Sequence, residues 1–181
     1  MVFLATVTID KTKFLCYNTN VLTFNINAQN RKDGAPMNGN TCFTQFAING
    51  IFDPDEITKR LGLQPDDTVK MGEHLRANRT ADIARWEFGK CSEYDVYTEK
   101  QMLKTITPLM DKIDELKSIA RDYKVDMYLN VVPSLTTGRI SPALAPSLEV
   151  MNFCVATGTK IDIDLYLLER DSSDDKGDYD D

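Results

Sequence analysis

Phe43 to Leu63, FTQFAINGIFDPDEITKRLGL, reads as a strand, a sharp turn and a short helix. Thr44, Phe46 and Ile48 alternate with Gln45, Ala47 and Asn49, the period of a strand with one apolar face. Asp53 is placed to cap a helix and Pro54 suits its first position. Glu56 stands where it can reach back and close a capping box. Phe52 and Ile57 are spaced as a hydrophobic staple, and Gly62 supplies the left-handed residue that ends such a helix.

Outward toward the N-terminus, Phe3, Ala5, Val7 and Ile9 alternate, and so do Leu22, Phe24 and Ile26 against Val21, Thr23 and Asn25. Gln29 to Asn40 is polar, with two Gly and a Pro, and reads as a linker. Residues 1–40 are therefore expected to form a strand-rich extension and linker, 41–169 an α+β domain, and 170–181 a disordered acidic tail.

Outward toward the C-terminus, Thr68 to Met71 suggests a short strand, and Gly72 to Asp82 an exposed irregular loop. Ala84, Trp86 and Phe88 mark a half-buried strand, with Trp86 in the core. From Thr98 to Tyr123, Met102, Ile106, Leu109, Ile113, Leu116, Ala120 and Tyr123 form a helical stripe. Pro108 interrupts it, so a kinked helix or two helices in tandem are expected, with Thr107 capping the second. Val125, Met127, Leu129 and Val131 mark a further strand, and Thr136-Thr137-Gly138 a turn. Ile140 to Leu144 is expected to pair back as a short strand, with Pro142 confining it to an edge or a strand end. Pro146 is expected to open a helix with Leu148, Met151 and Val155 on one face and Gly158 at its end. Ile161, Ile163, Leu165 and Leu167 are expected to line the inner face of a last strand, with Asp162, Asp164 and Tyr166 outward. Phe52-Asp53-Pro54 and Leu144-Ala145-Pro146 each precede a helix, a Gly and a strand, a faint internal echo.

These elements predict an α+β fold: a mostly antiparallel sheet with helices on one face, built on a ferredoxin-like β-α-β-β-α-β core plus a further β-α-β.

The formal net charge is −7, and the terminal DSSDDKGDYDD alone holds six Asp against one Lys. No basic footprint for nucleic acid is present in the totals. No apolar run approaches the roughly 20 residues that span a bilayer, and Met1 to Val7 lacks the basic start of a secretory signal. A cytoplasmic protein that binds neither membrane nor nucleic acid is expected. Cys16, Cys42, Cys91 and Cys154 are far apart and form no C-x-x-C pair, which argues for small buried thiols rather than a zinc site.

Candidate chemistry is sparse. His74 is the only histidine, and it sits in a polar loop beside Glu73, far in sequence from every Cys. No P-loop, G-x-S-x-G or G-x-G-x-x-G is present. Asp53 with Asp55, and Asp162 with Asp164, are carboxylate pairs of the kind a divalent metal uses, but a helix cap and a solvent-facing strand account for them. No cofactor and no metal are expected. Lys70, Arg76, Arg79 and Arg85, with Glu73 and His74 in the same stretch, form the best candidate binding set: basic side chains on an exposed loop suit a phosphate or an acidic surface.

FDPDEITKRLGLQPD, followed by Lys70, Gly72 and Glu73 in a K-x-G-E loop and a W-x-F strand at Trp86, resembles a bacterial family catalogued as domain of unknown function 4279. VDMYLNVV, the Pro-started helix and IDIDLYLL are similar too, so the resemblance covers roughly residues 43–168. It implies small bacterial or phage-borne cytoplasmic proteins, some of them regarded as candidate immunity proteins in toxin systems. It implies no catalytic residues. The function expected is a non-catalytic protein-binding protein, of the immunity or antitoxin type, with a toxin as the partner. The alternative is a sensor of a small molecule or nucleotide anion, using the basic stretch 70–85. A hydrolase built on His74 or the Asp pairs ranks third.

Overall fold

The computed structural model describes residues 40–75, 79–94, 98–137, 140–141 and 143–168. The expected extension, apart from Asn40, the acidic tail, Cys16, Arg76, Gly138 and Pro142 lie outside the described residues. The elements are β1 (Thr41–Gly50), α1 (Pro54–Leu61), β2 (Asp67–Val69), β3 (His74–Leu75), β4 (Arg79–Thr80), β5 (Ala84–Tyr94), α2 (Thr98–Ile106), a 3-10 helix (Thr107–Lys112), α3 (Ile113–Tyr123), β6 (Asp126–Thr136), α4 (Leu148–Thr157), β7 (Lys160–Ile163) and β8 (Tyr166–Leu168).

The main sheet has the order β2-β5-β1-β6-β7, with β8 also on β6, and β3 pairs with β4 in a separate two-stranded sheet. β1 is antiparallel to both β5 and β6, and β2 is antiparallel to β5. The β-α-β-β-α-β succession expected for the core is present as β1, α1, β2, β5, the α2–α3 segment and β6. β7 and β8 run parallel to β6. An α+β domain with a mostly antiparallel sheet results.

Alternation decides what each strand buries. Phe46, Ile48, Trp86, Leu129 and Val131 point into one core with Ile57 and Leu61 of α1, Met102 and Ile106 of α2, and Leu116 of α3. Phe46 meets Phe153 of α4 edge to face at 6.1 Å between ring centroids. Burying a side chain of this size contributes roughly 1.5–3 kcal/mol. The Trp86 indole N–H donates to Thr58 Oγ1 at 3.0 Å, so its one polar atom is satisfied inside the core.

Asp53 caps α1, its carboxylate accepting from the Asp55 N–H at 3.1 Å. Gly62 closes the helix in the left-handed region at φ 65°, its N–H bonded to the Thr58 carbonyl. Glu56 does not complete the expected capping box: its carboxylate accepts from the Tyr123 hydroxyl at 2.6 Å, linking α1 to the end of α3. Pro108 resolves into two α-helices joined by the 3-10 turn. Thr107 caps nothing there, because its hydroxyl donates back to the Leu103 carbonyl at 2.6 Å. Gly89 takes φ 71° beneath Thr105, where a Cβ would stand 2.9 Å from the Thr105 carbonyl oxygen.

Four further expectations are corrected. The irregular loop holds the β3–β4 pair, with His74 opposite Thr80 and Leu75 opposite Arg79. Residues 140, 141 and 143–147 form no strand. They are held instead by side chains: Asn40 donates to the Ile140 carbonyl at 2.8 Å and Thr98 to the Ala143 carbonyl at 2.7 Å. α4 starts at Leu148 rather than at Pro146, because Ser147 is the cap and its hydroxyl accepts from the Val150 N–H at 3.3 Å. The packed face of α4 is Val150, Phe153, Cys154 and Thr157, while Leu148, Met151 and Val155 face solvent.

The last strand also differs from expectation. It breaks into β7 and β8 around Asp164 and Leu165 although both halves keep one register on β6. Asp164 still donates its N–H to the Val131 carbonyl at 3.0 Å. The next inward-facing position on β6 is Pro133, which has no N–H to give, so the ladder lapses there. Ile163, Leu165 and Leu167 are exposed rather than buried.

Candidate functional site

The sequence nominates Lys70, Glu73, His74, Arg76, Arg79 and Arg85. Lys70 follows β2, and its ammonium lies 2.6 Å from Asp55 and 3.4 Å from Asp53 at the start of α1. Hydrogen bonds to Asp55 and then Asp53 push its pKa up, so it is firmly charged and already paired. The Lys70 N–H donates to the Glu73 carboxylate at 2.9 Å, and the Glu73 N–H returns to the Lys70 carbonyl at 3.0 Å. Glu73 thus shapes the turn into β3. His74 is exposed on β3 and Arg79 on β4. Arg85 lies on β5, where Nη1 meets Glu87 at 3.1 Å; Glu87 in turn accepts from Gln45 Nε2 at 3.1 Å. Val69 pairs with Arg85 and Thr68 with Trp86, so Arg85 shares the sheet face opposite the core. Lys70 reaches the helix side, against α1. The structure therefore does not bring Lys70 and Arg85 to one place, and Arg76 lies outside the described residues.

The carboxylate pairs are also apart. Asp53 and Asp55 stand at the α1 N-terminus, whereas Asp162 and Asp164 lie on or beside β7, where Asp164 accepts from the Tyr166 hydroxyl at 2.9 Å. Among the described residues, no three His, Cys, Asp or Glu side chains gather as metal ligands would. Cys42 and Cys154 are free thiols, and burial raises both to about 11. At neutral pH both are protonated and poor nucleophiles.

A polar network joins α1 to α3. Arg60 reaches Glu115, Asp122 at 3.0 Å and Ser118 at 2.9 Å, and its guanidinium lies 5.7 Å from the Tyr123 ring centroid. The Glu115 hydrogen bond chiefly holds Arg60 charged, while Arg60 keeps the Asp122 carboxyl below its usual range. Glu56, Lys59, Arg60 and Tyr123 line an open depression of about 420 Å³. Arg60 there is paired with Glu115 and Asp122, and Glu56 accepts from the Tyr123 hydroxyl, so these groups read as a brace between two helices.

The surface that the sequence reading misplaced is apolar. Leu148 is 74% exposed, Met151 40% and Val155 84%, all on one side of α4. Leu165 is 46% exposed and Leu167 71% on the outermost strand. Scattered apolar residues on a surface are ordinary, but a helix apolar on both sides is the pattern of an element with something further to pack against. The signal was present in the sequence: LEVMNFCVAT holds apolar residues on every side of the helix, so no single stripe can be read from it.

No helix among the described residues is long and apolar enough to cross a membrane. A family model described as Domain of unknown function (DUF4279) matches residues 40–168. No curated protein and no solved structure matches the chain.

Proposed function

This chain belongs to the family described as Domain of unknown function (DUF4279), and we propose that it is a non-catalytic protein-binding protein of the immunity or antitoxin type, acting in the cytoplasm of a bacterial or phage system. The observation that carries the reading is the solvent-facing side of α4. Leu148, Met151 and Val155 sit on a helix whose opposite side is fixed in the core by Val150 and Phe153. A rigid helix with an uncovered apolar side suits a protein surface, where apolar anchors carry most of the binding energy. The net charge of −7 adds long-range attraction for a basic partner such as a nuclease toxin. The anion-sensor alternative draws no comparable support, since Lys70 is paired with Asp55 and Arg85 with Glu87.

Co-expression with the product of a toxin gene encoded beside this one tests the reading. The wild-type chain is expected to restore growth and Val155→Glu to lose that protection while melting at the wild-type temperature. No protection by the wild type, or equal protection by Val155→Glu, contradicts it.

A further inference from the structure

The backbone at the edge of the sheet carries an inference separate from the α4 surface. In a strand, successive residues turn their N–H and C=O groups to opposite sides. Asp164 donates inward to Val131, and Leu168 accepts inward from the Thr137 N–H at 2.9 Å. Residues 162, 164, 166 and 168 therefore turn their backbone groups toward β6, although the Asp164 carbonyl faces Pro133, which has no N–H to offer. Ile161, Ile163, Leu165 and Leu167 aim theirs outward, and no strand among the described residues pairs there. Edges of this kind are normally blunted by charge, a bulge or a cover, because they template pairing with another chain. Here Ile163, Leu165, Tyr166, Leu167 and Leu168 are all exposed along it.

We propose that a second copy of this chain pairs antiparallel along this edge, centred on Leu165. Only registers that oppose outward-bonding residues can form a ladder, which leaves few choices. Centring on Ile163 sets Asp162 against Asp164 of the second copy, and centring on Asp164 sets that carboxylate against itself. Like charges directly opposite destabilise a pair. Centring on Tyr166 shortens the pairing of described residues to 164–168. Centring on Leu165 avoids the like-charge matches and spans 162–168: Leu165 meets Leu165 of the second copy, Ile163 meets Leu167, and Asp164 meets Tyr166. The last match repeats a bond each copy already makes internally, the Tyr166 hydroxyl to the Asp164 carboxylate at 2.9 Å. The edge is thus self-complementary on both faces, as a two-fold interface requires.

Sedimentation velocity on the full chain, with site-specific cross-linking, tests this. The wild type is expected to be a dimer at tens of micromolar, and Leu165→Lys to weaken it about 100-fold or more. Leu165→Cys is expected to form a disulfide-linked dimer on mild oxidation, since hydrogen-bonded antiparallel partners lie about 5.5 Å apart at Cα, within disulfide range. Val155→Cys and the wild type are the controls. A wild type that stays monomeric, a dimer indifferent to Leu165→Lys, or cross-linking of Leu165→Cys no faster than the controls overturns the proposal. The cross-link also decides the matter should Leu165→Lys fail to fold.

Discussion

Two strand–helix–strand units hang on the same sheet, and they are finished differently. In the first, α1 between β1 and β2, the helix buries Pro54, Ile57 and Leu61, and its polar side is tied down by Lys70 to Asp55 and by Arg60 to Glu115 and Asp122. In the second, α4 between β6 and β7, burial of Val150 and Phe153 leaves Leu148, Met151 and Val155 in solvent, and the strand that follows leaves Leu165 and Leu167 there too. The first unit is complete within the chain. The second has apolar surface beyond what its own core needs, which is why the binding proposals are placed there.

The largest expected effects test whether α4 really has one packed side and one spare side. Phe153→Ala removes a ring that is 2% exposed and packed on Phe46; it is expected to cost about 3–5 kcal/mol in urea unfolding. Val155→Ala, two residues on, is expected to stay within about 0.5 kcal/mol. Equal losses at the two positions would erase the distinction between the units. In the first unit, Ile57→Ala is expected to cost about 2–5 kcal/mol, with no neighbouring apolar position to provide a silent counterpart.

Caps give a smaller effect and sharpen the comparison. Asp53→Ala and Ser147→Ala each remove one side-chain acceptor at a helix start, and each is expected to cost about 1 kcal/mol. A Pro146→Ala change that destabilises more than Ser147→Ala would return the helix start to the position the sequence suggested.

The smallest effect is electrostatic. Lys70 has its pKa raised by Asp55 and Asp53, so the pairing stabilises the fold fully below the unfolded lysine pKa near 10.4. That contribution is lost as pH climbs through the higher folded value. Thermal melts from pH 9 upward are expected to fall more steeply with pH for the wild type than for Lys70→Met, with the two pH slopes alike near neutrality. Parallel alkaline slopes would mean the pairing does not survive in solution.

The same contrast explains what could be read from sequence. α1 was legible because Ile57 and Leu61 stand among polar residues, with Asp53, Pro54 and Gly62 marking its ends. The strand faces of β1, β5 and β6 were legible for the same reason, since Phe46, Trp86 and Leu129 alternate with polar neighbours. α4 was not, because two apolar sets, Leu148-Met151-Val155 and Val150-Phe153-Cys154, both fit a helical period, and only the tertiary packing chooses between them. The break between β7 and β8 depends on Pro133, some thirty positions earlier, which acts only once the register is known. Of the candidate site, the residue types were legible but not their partners. Lys70 finds Asp55, and Glu56 finds Tyr123, through folding rather than through spacing.

The most direct measurement is the affinity, by calorimetry, of the purified full chain for the product of a toxin gene adjoining its own, compared between wild type and Val155→Glu. The expected result is a dissociation constant at or below about 1 µM for the wild type, weakened about 100-fold by Val155→Glu. No heat of binding for the wild type, or the same constant for both chains, would contradict the claim that the uncovered side of α4 is a protein-binding surface.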